Sequence, residues 1–93
     1  MARTLYVLSY DYVADILDRR GPHRPGHLAL IEQWNATGRL PLAGALGDPL
    51  RAGLLVFDVG DPKVIDEFVA ADPYVAEGLV SAYRVEPLTA VTP

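Results

Sequence analysis

Two short runs of this sequence are apolar on both sides when drawn as strands. Residues 4–10 (TLYVLSY) place Leu5, Val7 and Ser9 on one face and Tyr6, Leu8 and Tyr10 on the other. Residues 53–59 (GLLVFDV) oppose Leu54 and Val56 to Leu55 and Phe57. Runs with aromatic and aliphatic content and no helical period read as strands. An antiparallel sheet with helices on one side normally turns polar residues outward on the other. Here both faces need cover, and a chain of 93 residues has few elements to supply it. A domain of this size buries only roughly two-thirds of its unfolded surface. A face-to-face homodimer of sheets meets the demand, because a soluble monomer does not normally expose a large apolar patch. The competing solution folds a helix over residues 11–20, or the C-terminal tail, across the bare face.

Punctuation by Pro and Gly orders the remaining elements. Residues 11–20 (DYVADILDRR) put Tyr12, Val13, Ile16 and Leu17 on one helical side, and Gly21-Pro22 stops that short helix. Pro25 suits the first turn of a second helix. His27, Leu30, Ile31 and Trp34 follow at i, i+3, i+4 and i+7, one amphipathic stripe, and Gly38 stands where a helix C-terminal glycine belongs. Residues 40–46 read as a strand that begins at Pro41 or lies at an edge. Asp61-Pro62 opens the next helix, with Val64, Ile65, Phe68 and Val69 as its buried side. Asp72-Pro73 opens a very short helix or turn closed by Gly78, residues 80–88 form the last strand, and residues 89–93 form a loose tail. The order strand, helix, strand, strand, helix, strand predicts an α+β, ferredoxin-like βαββαβ domain over residues 1–93, with a four-stranded antiparallel sheet.

Charge and composition remove several classes of function. The formal net charge is -4, and Lys63 is the only lysine. Arg19, Arg20 and Arg24 form one local basic cluster, diluted by Asp15 and Asp18, so no basic stripe exists for a nucleic acid. The sequence holds no cysteine, which excludes disulfides, thiolate nucleophiles and Cys-ligated zinc. No apolar run approaches the roughly 18 residues of a membrane span, and the N-terminal run has no signal-peptide pattern. The expectation is a cytoplasmic protein.

Few residues offer chemistry. His27 lies on the apolar stripe near a helix start, where it is either a packed histidine with one hydrogen bond or a neutral general base favoured by the partial positive field. Asp72 is either a helix cap, as Asp-Pro at 48–49 and 61–62 suggests, or a carboxylate that orients a base. His23 and His27 form an HxxxH pair, but Pro25 lies between them and residue 24 is Arg, so no metal site is expected. Neither Ser9 nor Ser81 stands in a nucleophile elbow, and no glycine-rich phosphate loop is present. Tyr74 follows Asp72-Pro73 and is placed to present its hydroxyl to a cleft, whereas most other aromatics read as core.

Two segments resemble a known family. Arg24-Pro25-Gly26-His27-Leu28 is similar to the R-P-x-H-L segment of the YCII-related (YciI-like) family. Residues 71–79 (ADPYVAEGL) are similar to its A-D-P-Y-V-x-x-G segment, and Arg20 sits where members often carry an arginine. The resemblance covers essentially the whole chain. It implies a dimeric α+β barrel and a His–Asp pair in a cleft, here His27 and Asp72. It also implies ligand contacts from Arg20, Arg24 and Tyr74, with no metal or organic cofactor. Members include a dehydrochlorinase acting on a chlorinated hydroxyquinol, and related barrels include isomerases, cyclases and monooxygenases. Members often carry Gly-Pro near the end of the second strand, where this chain has Gly44-Ala45-Leu46-Gly47-Asp48-Pro49, so substrate identity does not carry over. The function implied is a cofactor-free lyase or isomerase on a small cyclic or aromatic acid. The alternative is a non-catalytic dimer that binds a small ligand or serves as an accessory protein.

Overall fold

A computed structural model describes residues 2–92. Its elements are β1 (Arg3–Tyr12), α1 (Ile16–Arg19), α2 (Arg24–Ala36), β2 (Leu42–Leu46), β3 (Ala52–Phe57), α3 (Val64–Ala71), α4 (Pro73–Ala76) and β4 (Val80–Ala90). The strands form one sheet in the order β2-β3-β1-β4, and every neighbouring pair is antiparallel. This is the ferredoxin-like arrangement, with the two doubly apolar strands at the centre.

Register separates the two faces. Tyr6, Leu8 and Tyr10 pair with Phe57, Leu55 and Gly53, and this side packs on the helices. Leu8, Tyr10, Leu55 and Phe57 join Trp34 from α2 and Ile65, Phe68 and Val69 from α3 in one core. Trp34, Phe57 and Phe68 meet edge to face at centroid distances of 5.3–5.7 Å, the arrangement ring quadrupoles favour. On the other face Val7 pairs with Val56, which also faces Leu42, and Leu5 pairs with Leu88. Leu42 is 61% exposed there, and Leu46 and Leu88 are also exposed. The β4 side of that face is polar: Arg84 Nε donates to Glu86 Oε1 at 2.8 Å and its guanidinium lies 3.9 Å from Asp11.

Two expectations at the ends of β1 and β4 are corrected. Residues 11–20 do not form one helix. Asp11 pairs with Ala52 and Ala82, and Tyr12 pairs with Val80, so β1 runs on through them and only one helical turn remains. The sheet satisfies their backbone groups on both sides, which outweighs a weak helical spacing. Residues 89 and 90 are likewise not tail: Thr89 pairs with Thr4 and Ala90 with Arg3. Neither segment therefore covers the bare face. Ile16 of α1 packs instead with Tyr74 and Leu79, on the helical side.

The remaining elements follow their punctuation. Pro25 occupies the first turn of α2, and Gly38 follows its end at φ +76°, a left-handed conformation that costs glycine little. β2 begins one residue after Pro41 and is an edge strand, as the proline requires.

Candidate active site

The C-terminus of α3 and the start of α4 meet the first turns of α2 at one point. Asp72 ends α3 and caps α4: its Oδ1 accepts from the Tyr74 backbone N–H at 3.0 Å. Gly26 lets α2 come close there. A Cβ at position 26 would lie 3.0 Å from Pro73 Cγ, tighter than ordinary van der Waals contact. That approach sets the next residue, His27, against Asp72.

The contact is a buried hydrogen bond. His27 Nδ1–H donates to Asp72 at 2.9 Å (Oδ1) and 3.1 Å (Oδ2). Asp72 is fully buried and His27 nearly so. An ionised carboxylate only accepts, so the bond places the proton on Nδ1 of the neutral ring. Nε2 has no hydrogen-bond partner among the described residues, and His27 lines a cavity of about 220 Å³. The imidazole also stacks on the Tyr74 ring, with centroids 3.8 Å apart and planes 5° from parallel. A hydrogen bond at one edge and a ring on one face hold the imidazole in a single orientation.

Tyr10 completes the arrangement. Its hydroxyl donates to Asp72 Oδ2 at 2.8 Å across 62 positions of sequence. Asp72 thus receives three donors from three parts of the chain, and no buried side-chain polar atom among the described residues is left without a partner. Burial is the main cause that pushes the Tyr10 phenol far above its ordinary pKa, and the Asp72 charge adds to it. Tyr10 therefore stays a donor at any physiological pH.

The cavity has a mixed lining. Arg20 and Arg24 supply positive charge, Tyr12 and Tyr74 supply phenols, and Leu28, Ile31, Leu50 and Leu55 supply apolar walls. Ala43, Gly44 and Ala45 of β2 keep one side open to this space. Gly53 leaves room for the Tyr12 ring, whose hydroxyl would lie 2.6 Å from a Cβ at that position. Burial raises the Tyr12 and Tyr74 pKa values, and the Arg20 guanidinium opposes both shifts. All five residues expected at the site, His27, Asp72, Arg20, Arg24 and Tyr74, thus gather in one region, four on the cavity and Asp72 behind His27. Tyr74 is buried, with its ring against His27. His23 lies outside α2 as its N-terminal flanking residue. No cluster of three His, Cys, Asp or Glu side chains suited to a metal ion occurs among the described residues.

The model of the YCII-related domain matches residues 4–89. The chain belongs to the YCII-related family. Its relatives include the YciI proteins of Escherichia coli O6:H1 and Shigella flexneri, each 32% identical over 94% of this chain and 98% of theirs. Among solved structures, this YCII-related chain is similar to 5-chloro-2-hydroxyhydroquinone dehydrochlorinase (TftG) from Burkholderia phenoliruptrix AC1100, in complex with 2,5-dihydroxybenzoquinone. The TM-score is 0.74 at 22% identity, over 88% of this chain and 90% of that one. That likeness establishes a shared fold.

Tyr10 and Tyr12 are the residues that sequence reasoning assigned to the core or to a helix. One signal pointed to Tyr10: a tyrosine rather than a phenylalanine at a fully buried position requires a partner for its hydroxyl.

Proposed function

We propose that this YCII-related protein is a lyase or isomerase that removes a proton from a small cyclic or aromatic acid. The observation that carries this reading is the buried bond from His27 Nδ1–H to Asp72, which leaves Nε2 as the basic atom on a cavity flanked by two arginines. Asp72 fixes the tautomer and supports the imidazolium that forms when Nε2 accepts a proton. The proton comes from an acidic carbon or a phenolic hydroxyl. The electron pair left behind becomes an enolate or phenolate oxygen, whose charge Arg20 or Arg24 offsets and to which the Tyr74 hydroxyl donates. The enolate then expels a leaving group or is reprotonated elsewhere by the imidazolium. These steps use side chains alone. The ligand of the TftG complex, a flat dihydroxylated ring, is the kind of molecule a cavity with apolar walls and cationic groups accommodates.

The bare sheet face adds a quaternary expectation. Leu42, Leu46 and Leu88 are exposed on the side away from the helices, and a second copy of the chain, sheet against sheet, covers them. Light scattering at micromolar concentration then reports twice the chain mass, whereas a monomer removes this part of the reading.

A second reading has its own support. Asp72 already caps α4 and holds Tyr10, so the pair has a structural duty that a non-catalytic ligand-binding dimer also needs. The deciding experiment combines a thermal-shift screen of hydroxylated aromatics and keto acids with proton NMR of each binder in D2O. Catalysis predicts deuterium incorporation or loss of a leaving group, abolished by His27→Gln. Binding without exchange or turnover favours the non-catalytic reading.

A further inference from the structure

We propose that Tyr10 is a positioning residue that sets the proton affinity of the His27–Asp72 pair. This deepens the assignment of His27 as the base and rests on it. The geometry is a chain of two hydrogen bonds, Tyr10 Oη to Asp72 Oδ2 at 2.8 Å and His27 Nδ1 to Asp72 at 2.9 Å. All three side chains are buried, so water does not substitute for a lost donor without reorganisation.

The direction of the effect follows from charge. A donor to a buried carboxylate stabilises the anion. Tyr10 thereby favours the state in which the pair carries one negative charge and Nε2 is free to accept. Removing that donor destabilises this state more than the protonated one, so the pair binds its proton more tightly. The sign is the same whether the proton ends on the imidazole or on the carboxylate, which is the proper description of coupled groups. Without Tyr10 the pair holds its proton more firmly, and a smaller share of His27 is left as a competent base.

Other groups also face His27, and their influence is separable. Tyr74 lies against the ring, while Arg20, Arg24 and Tyr12 line the same cavity. The arginines disfavour imidazolium and are untouched by a change at position 10. Burial and the Asp72 charge keep the Tyr10 phenol protonated, so Tyr10 acts as a fixed donor across the titration.

The test needs no substrate. The two histidines, His23 and His27, are followed by imidazole nitrogen NMR against pH in the free protein and assigned with His23→Gln. In Tyr10→Phe, the proton-binding constant read at His27 rises at least about threefold, part of what a hydrogen bond to a charged group is worth, while His23 does not move. In an Asp72→Asn background the same change at position 10 leaves His27 unmoved. Should Tyr10→Phe fail to fold, 3-fluorotyrosine at position 10, a stronger donor of nearly the same size, gives the opposite sign and lowers the constant. An unchanged His27 titration in folded Tyr10→Phe, or an equal shift in both backgrounds, overturns the proposal. Because the readout is protonation of the free protein, that failure is distinct from a failure of turnover, which the D2O exchange experiment reads.

Discussion

Replacing Asp72 tests whether one carboxylate holds this region together. Asp72→Ala removes the acceptor for three donors at once: the Tyr10 hydroxyl at 2.8 Å, His27 Nδ1–H at 2.9 Å and the Tyr74 backbone N–H at 3.0 Å. A buried donor left unpaired costs about 1–3 kcal/mol, and here three donors lose their acceptor together. Water entering from the cavity relieves part of the sum, so the expected loss is about 3–5 kcal/mol. A chain of this length has a total stability of roughly 5–14 kcal/mol at ordinary per-residue values, so the loss is a large share of it. Asp72→Asn keeps one acceptor oxygen in place for His27 and Tyr74 and turns an amide toward Tyr10. Its expected cost is about 1–2 kcal/mol, near the worth of one charge-assisted bond. Urea unfolding followed by the fluorescence of Trp34, the single and buried tryptophan, reads both variants at one fixed chain concentration. An Asp72→Ala loss below about 1 kcal/mol refutes the acceptor count. Equal losses for Ala and Asn refute the claim that pairing of donors, rather than charge alone, decides the cost.

Other substitutions probe the site one element at a time. His27→Gln keeps a donor toward Asp72 and loses the titrating nitrogen, so it stays folded with a loss below about 1.5 kcal/mol while D2O exchange of any substrate falls to background. Ala45→Leu occupies the β2 side of the cavity and abolishes calorimetric binding of whichever hydroxylated aromatic or keto acid the thermal-shift screen identifies, with an unchanged unfolding temperature. Gly26→Ala on an open helix surface gains roughly 1 kcal/mol, but the 3.0 Å approach of Pro73 cancels that gain, and a urea midpoint above wild type contradicts the close packing of α2 on α4. In alkali, Tyr10 keeps its proton in the folded chain and loses it near pH 10 when unfolded. Stability therefore falls as pH rises above 10, by up to about 1.4 kcal/mol per pH unit from this residue, and Tyr10→Phe flattens that slope in urea titrations.

The order of elements was legible because Pro and Gly mark nearly every boundary. Pro25 and Gly38 bracket α2, and Pro73 starts α4. The reading failed where spacing met pairing. Tyr12, Val13, Ile16 and Leu17 have helical spacing, yet Tyr12 belongs to β1 and Leu17 is exposed. A local pattern does not record that β4 is long enough to pair with the end of β1. Asp72 shows the same limit at the site. Asp61 Oδ1 accepts from the Lys63 N–H at 3.0 Å, just as Asp72 Oδ1 accepts from Tyr74 N–H at 3.0 Å. Locally the two make the same Asp-Pro turn, although Asp61 lies two residues before Lys63, the N-cap of α3, so the expected cap role at 61 is not realised. Only the resemblance to the YCII-related motifs separated them, because what distinguishes Asp72 comes from His27 and Tyr10, 45 and 62 positions away.

That double duty explains how so small a chain keeps a polar pair in its interior. A buried carboxylate destabilises a fold unless several donors meet it. Here the helix cap supplies one donor, as the Asp61-Pro62 turn also does, and the central strand supplies a second through Tyr10. With two positions filled by the scaffold, the third donor is His27, and the ring it belongs to is held flat against Tyr74. Each group that orients the imidazole is thus already required by the packing of β1, α2 and α4 on one another. The orientation of the imidazole is a by-product of satisfying Asp72, and its Nε2, which has no hydrogen-bond partner among the described residues, belongs to a residue that lines the cavity.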